Sequence, residues 1–351
     1  MEVKTTIFDV ARLAGVSKGT VDRVLHDRGE VSARTARKVR EAIEQLNYTT
    51  NVYASNLGVH NVRIFSCLLP SSEEGDYWHK LAGGADAVAA RLEPMNASVR
   101  IFRYDQYDVS SFNKACDEVL GSNPSGVVMV PLFKKESMAF AGKLTELSIP
   151  YSCIDTRLED DGYLAYYGMD KYGSGRLCAA LLTERLDRSD VGRALVVRIL
   201  RDMKGESDPT SERRRGFADF LKEEFPDCII DTVFIRPSDP SMVNAVLEEY
   251  FSEHPDVKLV AMLNSRVYLL GEYFLAHPES ARRVVAFDDL DRNFELLRRG
   301  GVSILICQRT EDQAVKSIAA LADNVIMHTL PPVRDNYVHM EILTRYNLDN
   351  Y

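Results

Sequence analysis

The chain has 351 residues, 45% of them hydrophobic, and a formal net charge of −9. That is enough apolar material for one or two sizeable cores beside a small module, so more than one domain is expected. No run approaches the ~18 apolar residues of a membrane span, and the start MEVKTTIFDVARLAG lacks the basic-then-apolar order of a secretory signal, so a cytoplasmic protein with no membrane partner is expected.

The charge is uneven. Residues 1–60 hold nine Lys/Arg against seven Asp/Glu, which is +2 and leaves −11 for the rest, so the overall acidity does not exclude nucleic acid as a partner of the head. The six cysteines (Cys67, Cys116, Cys153, Cys178, Cys228, Cys307) stand singly in apolar segments without a CxxC pair or a nearby histidine at ligand spacing. They read as reduced core thiols, and no metal or other cofactor is expected.

In chain order, the first 47 residues predict three short helices. Thr6 and Asp9 make a capping-box-like start, and Ile7, Val10, Ala11 and Ala14 follow as an apolar stripe that Gly15 ends. Ser17 caps a second helix with Val21, Val24 and Leu25 inward. Gly29 breaks it, and Ser32 caps a third lined by Ala36, Val39, Ile43 and Leu46. Helix, three-residue turn and helix from Ile7 to Leu25 have the proportions of a helix-turn-helix.

A polar connector, Asn47 to Asn61, has little core-forming content. Beyond it, apolar runs of strand length alternate with amphipathic stretches: 62–70, 97–104, 125–132, 149–155, 193–200, 257–264, 283–289 and 302–308. Val, Ile and Leu runs separated by helices predict α/β architecture with parallel sheets covered on both faces. Eight such strands exceed one ordinary open sheet, so two lobes facing a cleft are expected, with ligands at the carboxyl ends of the strands. The tail 331–351 alternates enough for a final strand.

Enzyme signatures fail. GxxxxGK[ST], HExxH and a GxGxxG that opens a helix after a strand are all missing from the sequence. The glycine cluster DKYGSGRL, Asp170 to Leu177, lacks the lysine and spacing of a phosphate loop and reads as a plain helix start. Catalytic residues are therefore not assigned.

The stretch from Thr5 to Tyr48 resembles the headpiece of the lac repressor (LacI/GalR) family. The resemblance rests on Ile7, Phe8, Asp9 to Ala11, Ala14 to Ser17, Thr20, Val21, Arg23, Val24, Val31, Ser32 and Leu46 to Tyr48. It implies double-stranded DNA as partner, with Lys18, Gly19 and Arg23 at base-reading positions and Thr6, Ser17, Thr20, His26, Ser32 and Thr35 at phosphate-contacting ones. The connector meets the family's hinge pattern at Tyr48, Asn51, Ala54 and Leu57, implying that Leu57 wedges into the minor groove. Thr50 and Ser55 depart from the usual proline and arginine there. Asp22 stands where serine is usual, although GTVDRV matches a subset of the family. It either pairs with Lys18 and holds that ammonium in place, or accepts from a cytosine amino group.

Past Val62 the chain is similar to the family's sugar-sensing, type I periplasmic-binding-protein domain. IPYSCID then places Asp155 at the cleft, SERRRGF gives Arg213, LNSR keeps Asn264 but not the following Asp, FDD gives Asp288 and ICQRTEDQA gives Gln308. Ala314 stands where glycine is common. Tyr77 and Trp78 are expected at the cleft mouth, the only tryptophan covering a sugar ring, and Arg157 is a further candidate that would suit an acidic sugar. Carboxylates accept, a guanidinium donates in a fork, and amides do both, so such a set bridges adjacent hydroxyls.

The implied organisation is a headpiece over 1–47, a hinge over 48–61 and an effector-binding and dimerisation domain over 62–351. Within that domain, lobe 1 takes about 62–155 and 285–308, lobe 2 about 156–284 and 309–330, and the tail 331–351. The implied function is that of a homodimeric, nucleoid-associated regulator of transcription, a repressor, which reads a pseudo-palindromic operator and responds to a sugar-like effector. Two other readings remain open from the residues alone: an intracellular sugar-binding protein whose head binds a protein, and a sugar-acting enzyme using Asp155 and Asp288.

Overall fold

The computed structural model describes residues 7–25, 29, 31–46, 62–159, 162–200, 210–236, 239–278 and 282–351. Contacts divide the chain into two compact units that part near Val62, a head and a body.

In the head, α1 (Ile7–Ala14), α2 (Lys18–Leu25) and α3 (Ala33–Gln45) fall where the apolar spacing puts them. The turn is Gly15, Val16 and Ser17, and Gly15 adopts φ +68°, open to glycine at little cost. Val10, Ala11, Ala14, Val21, Val39 and Ala42 are buried together, with Val24, Leu25, Ile43 and Leu46 packed around them. Helices of eight residues are too short to persist alone, so this shared core holds them. The hinge, 48–61, lies outside the described residues.

The body carries two six-stranded sheets. The first, in spatial order, is β11 (Asp335–Tyr337), β5 (Ala165–Gly168), β4 (Tyr151–Ile154), β3 (Gly126–Met129), β1 (Arg63–Pro70) and β2 (Ala97–Tyr104), all pairs parallel. The second is β12 (Glu341–Leu343), β10 (Ile304–Cys307), β9 (Arg283–Phe287), β8 (Leu259–Met262), β6 (Arg193–Ile199) and β7 (Ile229–Ile235), parallel except for β12. Central strands are buried along their whole length, as in Val127 to Met129 and Val284 to Phe287, because helices cover both faces. The helices of the body are α4 (Tyr77–Leu92), α5 (Val109–Gly121), α6 (Lys134–Glu146), α7 (Lys171–Thr183), α8 (Ser211–Glu224), α9 (Pro240–Glu253), α10 (Tyr268–Ala276), α11 (Asp291–Arg299) and α12 (Thr310–Met327). Among the described residues no helix is long and apolar enough to cross a membrane.

The expected lobe boundaries need correction. β9 and β10, expected in lobe 1, are strands of the second sheet, whereas β5, expected in lobe 2, belongs to the first. Helix α12, expected in lobe 2, packs on α4 and the first sheet. The reason is local connection: β8, β9 and β10 are successive βα units, and successive units pair as neighbours in one sheet. Among the described residues the chain changes lobe only between β5 and α7, between β10 and α12, and between β11 and β12. The tail, expected as one strand, supplies one to each sheet.

Candidate functional site

In the head, the candidate residues sit on one exposed stretch. Ser17 caps α2, its Oγ accepting from the Thr20 amide at 3.2 Å, and Ser32 caps α3 by accepting from the Thr35 amide at 3.3 Å. Lys18, Gly19 and Arg23 are exposed, while Thr20, Asp22 and Thr35 are half-buried. Lys18 lays its Nζ 5.2 Å from the centre of the Phe8 ring, so an aromatic face of α1 lies against this ammonium. A Cβ on Gly19 would meet only Ser17 Oγ, at 3.8 Å. The head's own packing therefore does not require glycine there. Thr6, His26, Ala54 and Leu57 lie outside the described residues.

In the body, Tyr77, Trp78, Asp155, Arg213, Asn264, Asp288 and Gln308 all line one cleft, with a cavity volume of about 90 Å³. They come from both lobes: Tyr77 and Trp78 open α4, Asp155 follows β4, Arg213 lies in the first turn of α8, and Asn264, Asp288 and Gln308 follow β8, β9 and β10. Asp155 and Asp288 adopt φ +61° and +74°. Aspartate tolerates this left-handed region at a cost of order 1 kcal/mol, and the turn aims each carboxylate off the strand end.

One hydrogen-bond network ties these groups. The Tyr77 hydroxyl donates to Asp155 Oδ1 at 2.9 Å and receives Gln308 Nε2 at 3.1 Å, which also donates to Asp288 Oδ1 at 2.7 Å. Gln313 donates its Nε2 to Gln308 Oε1 at 3.1 Å and accepts from the Asp155 amide at 3.1 Å, which fixes both amide orientations. The Lys171 Nζ lies 3.0 Å from Asp155 Oδ2 and 2.9 Å from Thr156 Oγ1. Arg213, 6% exposed, donates to the Leu263 carbonyl at 2.7 Å and to Ser174 Oγ at 3.1 Å, its guanidinium 3.9 Å from the centre of the Phe287 ring.

Packing explains why arginine stands there. A Cβ at Gly216 would overlap the Tyr172 carbonyl, and one at Gly175 would overlap the carbonyl of Arg213. The two glycines let α7 and α8 approach backbone to backbone, which brings Arg213 against Ser174. The cluster DKYGSGRL is accordingly a helix start, Asp170 accepting from the Gly173 amide at 2.9 Å, with Gly175 at the crossing.

The carboxylates differ in charge state. Burial raises Asp155, but the Lys171 ammonium and the hydrogen bonds from Lys171, Thr156 and Tyr77 outweigh it and hold the carboxyl below its ordinary range. Burial lifts Asp288 to about 7, helped by Asp289 and Asp155 and opposed by Arg213 and the Gln308 hydrogen bond.

Several participants had no signal in the sequence. Lys171, Gln106, Tyr107, Ser265 and Arg266 also line the cleft. Asp289, beside Asp288, takes Lys80 of α4 at 2.7 Å, Thr310 at 2.9 Å and the Tyr351 hydroxyl at 3.1 Å, joining the two lobes and the tail. Lysine and serine are too common for spacing alone to single them out. Arg157 does not line the cleft: it is exposed and paired with Asp335 at 3.0 Å. Trp78 packs edge-on against Tyr77, centroids 4.9 Å apart, and is half-buried at the cleft. Among the described residues no group of three or more His, Cys, Asp or Glu could hold a metal ion.

Residues 6–51 match the bacterial regulatory proteins of the lacI family, and residues 65–326 match a periplasmic binding protein domain. The lactose operon repressor of Escherichia coli is 29% identical over 143 residues, 40% of this chain and 39% of that protein. The fructose operon regulatory protein of Vibrio cholerae is 26% identical over 224 residues, 62% of this chain and 63% of that protein. The matches thus span less than two thirds of these relatives' own lengths. A crystal structure from Bacteroides fragilis, designated a LacI transcriptional regulator, is 32% identical with a TM-score of 0.76, covering 82% of this chain and 99% of that one.

Proposed function

Because the chain belongs to the lacI family of bacterial regulatory proteins and carries a periplasmic binding protein domain, we propose that it is a cytoplasmic, homodimeric regulator of transcription whose hold on DNA depends on a small effector. The observation that carries this reading is the presence in one chain of an exposed helix-turn-helix and a cleft into which seven polar and aromatic candidates converge. Two heads related by a two-fold would read the halves of a pseudo-palindrome, with Lys18 and Arg23 on α2 as donors to base edges or phosphates. Thr6, Ser17, Thr20, His26, Ser32 and Thr35 would hold phosphates, with Ala54 and Leu57 at the minor groove. In the body, Tyr77, Trp78, Asp155, Arg213, Asn264, Asp288 and Gln308 would hold a sugar or sugar derivative, the class for whose operons two relatives are named.

The effector acts by binding one lobe arrangement better than another, typically by ~1–3 kcal/mol of coupling. The split charge states of Asp155 and Asp288 invite an acid and base pair. However, both carboxylates are tied through Tyr77 and Gln308 into one hydrogen-bond network, with Asp155 held charged by Lys171, so their oxygens are engaged within the protein.

The test is a gel shift of the full-length dimer on chromosomal fragments at low salt, with and without candidate effectors. Retardation that an effector changes is expected, and Arg213→Met should keep DNA binding while losing the response. No retarded fragment would sink the regulator reading.

A further inference from the structure

Resting on the reading of the cleft as an effector site, a count of free donors and acceptors narrows the effector's chemistry. Asp155, the residue best suited to bridge neutral hydroxyls, already receives Tyr77 on Oδ1 and Lys171 and Thr156 on Oδ2. Gln308 spends its Nε2 on Tyr77 and Asp288 and its Oε1 on Gln313. The Asp288 Oδ1 is taken by Gln308, and the lining carboxylate of Asp76 accepts from the Glu73 amide at 3.4 Å. Most of the acceptor capacity is thus consumed inside the protein.

Donors are in surplus. Arg266 lines the cleft, and among the described residues neither it nor Arg213 has an ion-pair partner; the hydrogen bonds of Arg213 go to neutral oxygens and to the Met169 sulfur. Lys171 keeps a third N–H, and Asn264 has its Oδ1 on the Arg266 amide, which leaves its NH₂ to the cleft. A half-buried guanidinium without an ion-pair partner, as at Arg266, is satisfied best by an anion, whereas Lys171 is already paired with Asp155 at 3.0 Å and the charge of Arg213 acts on Asp288.

The backbone points the same way. Helices α4, α8 and α11 begin at the cleft, at Asp76 to Trp78, Thr210 and Leu290, and none has a side-chain cap on its first amides. Their positive ends add to the field of the three cations. Serine at 265, where the resemblance leads one to expect aspartate, removes a negative charge next to Arg266.

We propose that the effector is an anionic sugar, a polyol whose carboxylate or phosphate is received by the cationic lining of Lys171, Arg213 and Arg266. An anionic head accepts hydrogen bonds without needing to donate any, which is what this lining offers, while the hydroxyls use Asn264 and the remaining oxygen of Asp288.

Matched sets with one carbon skeleton test it: glucose, gluconate, glucuronate and glucose 6-phosphate, and the galactose counterparts, titrated into the full-length protein by calorimetry and thermal shift. A sugar acid or sugar phosphate should bind at least tenfold more tightly than its neutral parent, weaken with salt, and lose most of that margin in Arg266→Gln and Lys171→Gln but not in Lys171→Arg. The acid and phosphate arms separate the two sources of charge. A neutral parent that binds as well, or a panel in which no anionic member shifts Tm, overturns the proposal. The regulator reading fails separately, in the gel shift, if no fragment is retarded either with or without effector.

Discussion

The head and the body place their candidate residues in opposite environments. On α2 the side chains of Lys18 and Arg23 stand in solvent above a core of six small or β-branched residues, and each can act without the others. In the body, Tyr77, Asp155, Asp288 and Gln308 are buried and bound to one another before any ligand arrives. An exposed reader depends on register along one helix, whereas a buried receptor depends on several segments converging. Change in the head should therefore alter binding with little effect on folding, and change in the body should do both.

Asp288 offers the hardest test of that contrast. Its folded-state value of about 7 lies above the 3.8 of an unperturbed carboxyl, so the folded protein binds the extra proton. The resulting cost to stability is absent below about pH 4, grows as pH rises, and is complete above about pH 7, where it amounts to at most about 4 kcal/mol. Asp288→Asn keeps the acceptor for Gln308 and never ionises. Its Tm should exceed that of the native chain at pH 8, and the margin should shrink steadily toward pH 4. A margin independent of pH would mean that burial does not govern this carboxyl and that the body is less preorganised than its network implies.

The same contrast decides what the sequence could show. Short helices with the motif residues in one continuous stretch make the head legible: α1, the turn at Gly15 to Ser17, and α2 are where the apolar spacing and the lacI-family likeness put them. In the body, strands buried on both faces, such as Phe65 to Leu69, announce themselves as apolar runs. Edge and closing strands do not: β7 carries Asp231 and Thr232 in a half-exposed edge, and β11 and β12 are three residues each. Which strand joins which lobe depends on pairing, so the implied lobe bounds misassigned β5, β9, β10 and α12. The motif-borne cleft residues were legible because each sits at a strand end or helix start. Lys171 and Arg266 were not, because their importance lies in which acceptors and donors are already in use.

A smaller effect should come from Gly216, where α8 crosses α7. The added methyl of Gly216→Ala meets the main chain of Tyr172, which no side-chain motion can relieve, so an overpacking cost of about 1–3 kcal/mol should exceed the gain in helix propensity. Arg213 lies one turn before this contact, and effector affinity should fall although Gly216 does not touch the cleft. Thermal melts and effector titrations would show both losses together, whereas a stable protein with unchanged affinity would break the link between helix crossing and arginine placement.

The smallest effect comes from the same substitution in the head, with the sign of stability reversed. Gly19→Ala finds only Ser17 Oγ at van der Waals distance, so the head should gain up to ~1 kcal/mol of helix stability. If glycine is there to let the α2 backbone approach DNA, operator affinity must fall even as the melting temperature holds or rises. Affinity that rises with stability would instead make Gly19 a tolerated imperfection, leaving specificity to Lys18, Asp22 and Arg23. The two alanines thus form a pair: a methyl in the body costs folding and binding together, while a methyl in the head separates them, because the surface it obstructs belongs to a partner that the fold does not need.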